Sequence, residues 1–441
     1  MHGGTRCRRR AGAPGRRGGT RYNDPAMPDV YLDHNATTPL DPRVRAAMLP
    51  WLGERHGNPS SIHRFGQAAR EAVEQAREEV AALIGGRPPE VVFTASGTEA
   101  NNAVIAGLAA AGAAAAGAGH LLLSAIEHPS TAQAAARAER HGMKVTRVAP
   151  AEDGVVPAAA MIAALRPDTR LVCLMLANNE LGTLQPVAEV AAACRERGIP
   201  VLCDAVQAVG KIAVSAPRLG ADFLVLAAHK FGGPLGAAAL WVRDGVELEP
   251  LLVGGSQERR RRAGTENVAA LAGLGAAAAL ARAEVAGGRP ERLAALRDRF
   301  EHGLAGVAGA VIHCAASPRL PNTSHIALPG VEGEALLIRL DLAGFAVSTG
   351  SACSSGTVEP SPTLLAMGLP PAEALCSLRV SFGIANEPAE VDAFLAALDR
   401  EAAALRRLTG VEPPEAVVAA PWLDAAARGA GGRAAPEDGA R

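Results

Sequence analysis

Five short apolar runs dominate the middle of this 441-residue chain: VVFT (91–94), HLLLSAI (120–126), RLVCLMLA (170–177), IPVLCD (199–204) and DFLVLAA (222–228). Helical or loop-like stretches separate them. One of these, GQAAREAVEQAREEVAALIG, carries Val73, Ala76, Val80, Leu83 and Ile84 at helical spacing. Strand-length runs with helices between them predict a largely parallel sheet covered on both faces, an α/β fold. No repeat of fixed period competes with that pattern.

The residues directly after each run narrow the function. VVFT leads into ASGTEANN, LLLSAI into EHPS, LVCLMLA into NNELG, PVLC into DAVQ and FLVLAA into HKFGG. Polar and ionisable groups therefore gather at the carboxyl ends of successive strands, the edge where open α/β sheets hold ligands. One such cluster is a weak signal. Five on one edge describe a site.

Each cluster admits a bland reading beside a chemical one. SGTEANN opens a helix, so Gly97 and Thr98 suit a phosphate, while Thr98 capping with Glu99 is the structural alternative. Asp204 ends an apolar strand; it either caps the next turn or waits for a cation such as a protonated heteroaromatic nitrogen. His128 is a core histidine or a planar stacking partner. Lysine is scarce: Lys144, Lys211 and Lys230 stand against 41 arginines. Lys230, directly after His229 at a strand end, is the candidate for covalent chemistry in a partly desolvated pocket. Lys144 and Lys211 are expected at solvated positions flanking strands.

Composition sets the outer bounds. The chain is 49% hydrophobic and 20% charged, and its length favours two domains over one. No apolar run approaches the roughly 18 residues of a membrane span. Residues 1–28 carry seven arginines against Asp24, a balance of +6; the whole chain is −1, so the rest carries −7. The arm 1–26 has neither an apolar h-region nor an amphipathic face, and is expected to be a disordered or non-native extension before Met27. The stretch 411–441 is expected to be mostly disordered. Seven cysteines form no CxxC pair, and Cys173 and Cys203 lie in apolar runs, as in a protein of a reducing compartment. Cys353 is different: TGSACSSG (349–356) sets it in a Gly/Ser stretch with no apolar period, a surface loop.

Assembled, these residues resemble the fold-type I pyridoxal 5′-phosphate (PLP) enzymes, and more narrowly the NifS/IscS-type cysteine desulfurases of the class V aminotransferase family. The resemblance spans about residues 30–395. It rests on YLDHNATTP, NPSSIHRFG, FTASGTEANN, EHPS, NNELGTLQP, DAVQAVGK, AHKFGGPLG, RRAGTENV, STGSACSSGTVEPS and SLRVSFG, in family order with compatible spacing. It implies a mainly parallel sheet in a large domain (42–285), with a smaller α/β domain built from 27–41 and 286–410.

Residue by residue, the resemblance implies that Lys230 holds PLP covalently and Asp204 pairs with its ring nitrogen. Gln207 and Asn179 would meet the ring hydroxyl, Asn179 or the substrate besides, and His128 would stack on the ring. Gly97, Thr98 and His229 would bind the phosphate, and Thr265 would reach the phosphate of a partner subunit in a homodimer. Asn35 and Arg379 would hold the carboxylate of L-cysteine, Arg379 through a bidentate pair. Cys353 would take the substrate's sulfur as a persulfide, because a thiolate attacks sulfur well and a hydroxyl does not. Alanine would be the second product. The length of the loop around Cys353 resembles the subgroup that hands sulfur to Fe–S scaffold or tRNA-thiolation proteins. No intrinsic metal site is implied, although Cys353 would be a transient ligand to a nascent Fe–S cluster. A cytoplasmic enzyme without membrane or direct nucleic-acid contacts is expected. Selenocysteine lyase or a related PLP enzyme is the nearest rival, and a non-catalytic Fe–S assembly subunit the remoter one. Ala227 departs from the family, which usually places serine there, so one hydroxyl toward the phosphate is missing. GPLG for Gly-Pro-Lys-Gly and His34 for Asn or Tyr are further departures.

Overall fold

The computed structural model describes residues 30–114, 119–349 and 359–412. In chain order the strands are β1 (Val30–Tyr31), β2 (Val91–Thr94), β3 (His120–Ser124), β4 (Lys144–Val148), β5 (Thr169–Cys173) and β6 (Val201–Asp204). After these come β7 (Phe223–Ala227), β8 (Ala238–Val242), β9 (Val311–Ile312), β10 (Thr323–Ala327), β11 (Phe345–Ala346) and β12 (Ser377–Ser381). Seven of them form the main sheet in the order β2-β8-β7-β6-β5-β3-β4. All five apolar runs supply strands to it.

Two of its strands were not legible as such. β4 is an edge strand, half-buried and polar, and so lacks the apolar signature. β8 runs antiparallel to both neighbours, β2 and β7. Only ten residues, 228–237, link β7 to β8, too few for the crossover that a parallel strand needs. That short connection carries His229 and Lys230, so the reversal of the chain there puts Lys230 at the sheet edge.

Side chains alternate between two cores across this sheet, as the pleat requires. On β7, Leu224 and Leu226 face the core that includes Val73, Val80 and Leu274. Phe223 and Val225 face the one formed with Ala100, Val104 and Ile105 of the helix Gly97–Ala114. A separate core gathers Val30 and Leu32 with residues from Leu293 to Ala402, around the antiparallel sheet β9-β10-β12 and the parallel pair β1-β11. The chain thus enters this unit at its start and returns to it after Ala286, which brings Asp33, Asn35 and Arg379 against the large sheet.

One expectation is corrected. The helix Val268–Ala286 has the length and mean hydropathy of a membrane span. It is a core helix instead: half of its apolar window is buried, with Leu271, Leu274 and Ala278 packed against the helix Arg64–Leu83. Alanine and glycine give it high hydropathy and the slimness for close helix packing, two properties that composition alone does not separate.

Candidate active site

A cavity of about 550 Å³ opens where the carboxyl edge of the large sheet meets the smaller unit. Gly97, Thr98, His128, Asn179, Asp204, Gln207, His229, Lys230, Arg379 and Asn35 all line it. These are ten of the residues expected at the site, brought together from seven separate stretches of chain.

The helix Gly97–Ala114 starts at its edge. Ser96, not Thr98, caps that helix: Glu99 N donates to Ser96 Oγ at 3.1 Å and the Glu99 carboxylate accepts from Ala95 N at 2.9 Å. Thr98 is therefore left in the first turn, on the cavity wall. A Cβ on Gly97 would lie 3.1 Å from Val206 Cγ2, so glycine lets the helix start close over the end of β6. The result is a concave run of helix N-terminal N–H groups, suited to an anion.

Asp204 makes the local turn and takes a buried amide as its second partner. Its Oδ1 accepts from Val206 N at 3.0 Å, the local turn, and its Oδ2 accepts from Asn101 Nδ2 at 2.7 Å. His128 caps the helix Pro129–Arg140, and its Nδ1 accepts from Ser130 N at 3.1 Å. A backbone N–H can only donate, so the ring proton of neutral His128 sits on Nε2. Burial lowers the His128 pKa, with Lys230 adding to the effect and Asp204 opposing it. His229, whose Nδ1 faces Thr37 Oγ1 at 3.2 Å, is held down to about 4 by burial and by Lys230.

Lys230 Nζ donates to the carbonyls of Asn35 and Ala36, at 2.7 and 2.8 Å. Burial, and then the Arg379 charge, bring its pKa down to about 8, against the pull of Asp204 and Asp33. Arg379, on β12, donates from Nη1 to Asn179 O at 3.0 Å and from Nη2 to Asp33 Oδ1 at 2.6 Å, while its Nε is buried with no hydrogen-bond partner among the described residues.

Two placements differ from expectation, those of Lys211 and Asn35. Lys211 is not solvated; it is 4% exposed, with Nζ 2.6 Å from Asn35 Oδ1 and 2.8 Å from Gln207 Oε1. The side chain of Asn35 faces the protein: Nδ2 donates to Thr323 Oγ1 and Asn179 O, and Oδ1 accepts from Lys211 and Asn322. What Asn35 offers toward Lys230 is its backbone carbonyl. Thr265 is exposed, in the stretch before the helix Val268–Ala286, and does not line the cavity. Cys353 lies outside the described residues.

Sequence reasoning overlooked Asn101, Ser130, Asp33 and Lys211. Asn101 stands three residues after Thr98 on the same helix, a spacing that shares a face and was available as a signal. Asp33 is two residues from Asn35. Nothing local marks Lys211 as buried.

The donor set fits PLP on the geometry alone. A buried carboxylate, a helix start packed close over the end of β6, a lysine at the sheet edge and two imidazoles converge on one cavity. The aminotransferase class-V family matches residues 30–394. A cysteine desulfurase IscS of Dictyoglomus turgidum is 42% identical over 86% of this chain and 96% of its own length. A cysteine desulfurase of Klebsiella pneumoniae is 42% identical over 84% and 92%. Among solved structures, a NifS-like protein superposes with a TM-score of 0.79 at 34% identity, covering 84% of this chain and 98% of its own. DndA of Streptomyces lividans does so at 0.67 and 36%, covering 80% and 99%. The chain therefore belongs to the class-V aminotransferase family, among the cysteine desulfurases of the NifS/IscS type, whose cofactor is PLP.

Proposed function

We propose that this enzyme converts L-cysteine to L-alanine and leaves the sulfur as a persulfide on Cys353, for acceptors in Fe–S cluster assembly or tRNA thiolation. The observation that carries it is the meeting, in one cavity, of Lys230 near neutrality, the buried Asp204 carboxylate and the Arg379 guanidinium. Bound PLP supplies an electron sink for the carbon that bears the substrate's amino group.

The chain's own groups do the rest. Gly97, Thr98 and His229 would seat the phosphate, Asp204 the ring nitrogen, Gln207 and Asn179 the ring hydroxyl side, and His128 the ring face. Arg379 would exchange Asp33 for the substrate carboxylate, a charge-assisted pair of the same kind. Neutral Lys230 Nζ accepts the proton from the substrate's α-carbon. The Cys353 thiolate then forms the S–S bond as the substrate's C–S bond breaks. L-Cysteine and the Cys353 thiol thus become alanine and the Cys353 persulfide, with no external oxidant or reductant. We take the active form to be a cytoplasmic homodimer, in which Thr265 serves the neighbouring subunit. Its exposed position outside the cavity and the free cysteines among the described residues support this.

The test is alanine release from L-cysteine by the PLP-loaded full chain, with mass spectrometry of the protein. Cys353→Ser is expected to keep PLP and its visible band while alanine formation falls by orders of magnitude. Near-normal alanine from that variant, or a persulfide on another cysteine only, overturns the assignment.

A further inference from the structure

We infer that Lys211 is a positioning residue of this active site: it fixes the side-chain amide of Gln207 so that an N–H, and not the carbonyl, is presented to the cavity. The inference rests on the PLP reading of the site and concerns a residue which that reading leaves idle.

Lys211 reaches the site because the turn after β6 folds tightly inward. Gly210 there has φ +79, and a Cβ on it would lie 2.4 Å from Phe231 Cβ, so glycine lets this turn press against the residue that follows Lys230. Lys211 Nζ ends beneath the cavity floor with two acceptors, Asn35 Oδ1 and Gln207 Oε1. Among the described residues, no carboxylate accepts from it. The charged groups that act on it, Lys230, Arg379 and Arg289, are all positive, and with burial they hold its pKa well below the usual lysine value. Both of its hydrogen bonds go to amide oxygens, Asn35 Oδ1 at 2.6 Å and Gln207 Oε1 at 2.8 Å.

Amide orientation follows from these partners. The Asn179 carbonyl can only accept, so it takes Asn35 Nδ2 and leaves Asn35 Oδ1 toward Lys211. Lys211 donates to Gln207 Oε1, and Gln207 Nε2 donates to Asn35 O at 3.0 Å. Turning the Gln207 amide over would set its oxygen against the Asn35 carbonyl and its NH2 against the Lys211 N–H groups. Both hydrogen bonds would become like-against-like contacts in a buried place. Gln207 Nε2 has a second N–H beyond the one given to Asn35, and Gln207 lines the cavity. The same Asn35 carbonyl accepts from Lys230 Nζ, so the floor set by Lys211 and the covalent lysine share an anchor. A ring oxygen carrying negative charge finds a donor at position 207.

The experiment is a pH titration of the visible absorbance of the PLP-loaded full chain, with PLP affinity of the apoprotein measured in parallel. A donor on the ring oxygen eases loss of the proton it shares with the Lys230 nitrogen, so removing the donor raises the midpoint. Lys211→Met keeps the side-chain length without N–H groups, and Gln207→Ala removes the amide. Each is expected to raise the midpoint by about one pH unit, a tenfold change in proton affinity. The double variant is expected to rise no further than Gln207→Ala alone, because the two act as one unit. Should Lys211→Met not fold, Gln207→Glu carries the test. It sets a carboxylate against Lys211 Nζ, and is expected to raise the midpoint as Gln207→Ala does while melting at a higher temperature than that variant. An unchanged midpoint in Lys211→Met, additive shifts in the double variant, or Gln207→Glu melting no higher than Gln207→Ala overturns the inference. If the unaltered protein takes up no PLP, the functional reading itself fails; PLP uptake with a midpoint indifferent to Lys211 sinks only the role of Lys211.

Discussion

The carboxylate of Glu180 accepts hydrogen bonds from Ser361 Oγ and, at 3.0 Å, from Thr363 Oγ1, in a fully buried contact between the loop after β5 and the start of the helix Pro362–Ala366. Ser361 Oγ also accepts from Leu364 N at 3.3 Å, capping that helix. Position 361 is eight residues after Cys353, so Glu180 ties the return of that stretch to the strand edge that carries Asn179. Glu180→Ala leaves two hydroxyls without their acceptor. It is expected to lower stability by about 1–3 kcal/mol, read by denaturant unfolding, with PLP stoichiometry unchanged. A variant as stable as the parent would show that the contact contributes nothing.

Lys230 should control cofactor uptake through its protonation state. The neutral amine is the nucleophile, so the rate at which apoprotein captures PLP is expected to rise with pH through about 8. Arg379 lowers that pKa, so Arg379→Gln is expected to move the midpoint upward. Lys230→Ala is expected to hold PLP without covalent attachment, and borohydride treatment should then tag no lysine. A tag on Lys144 or Lys211 in the parent protein would move the assignment.

Glu127 gives the fold a pH dependence of opposite sense to a surface ion pair. Its carboxyl is fully buried, accepts from Met175 N at 2.7 Å and Ser124 Oγ at 2.8 Å, and is pushed up to about 8, chiefly by burial. In the unfolded chain it ionises near the ordinary glutamate value, about 4.3. The folded state therefore holds the proton more tightly. The stability from this group is complete below that value and is lost as pH rises through about 8. Glu127→Gln, which stays neutral, is expected to melt at a less pH-dependent temperature between about pH 5 and 8, with its advantage growing toward the alkaline end. Parallel melting curves for the two proteins across this range would contradict it.

Gly383 accommodates His34, one of the departures from the family pattern. A Cβ at 383 would fall 2.1 Å from Cε1 of the His34 ring, and His34 is itself 7% exposed, with little room to move away. Gly383→Ala is expected to cost about 1–3 kcal/mol, as overpacking does. His34→Asn in the same chain should recover part of that loss, a non-additive pair in a double-mutant cycle. Equal losses with and without the His34 change would rule out the clash as the cause.

The strand pattern and the polar clusters after the strands were enough to place the sheet, its ligand edge, and eight of the ten residues that now share one cavity; Asn35 and Arg379 were expected there only from the family resemblance. They were enough because those signals are local: an apolar run of strand length and a loop of functional side chains both sit within a few residues. β8 could not be oriented from its own residues, since the length of the link after β7 decides its direction. Lys211 reads locally as a solvated lysine after a Gly turn, yet it is buried, with Asn35, from the start of the smaller unit, as one of its two acceptors. Asn35 lines the cavity, but its side chain turns inward because Thr323 and Asn322, far along the chain, supply its partners. Sequence alone determined which residues stand at the edge of the sheet. Which of them face the cavity, and which hold the others in place, was decided by partners distant in sequence, because a buried polar group must be satisfied by whatever the fold brings to it.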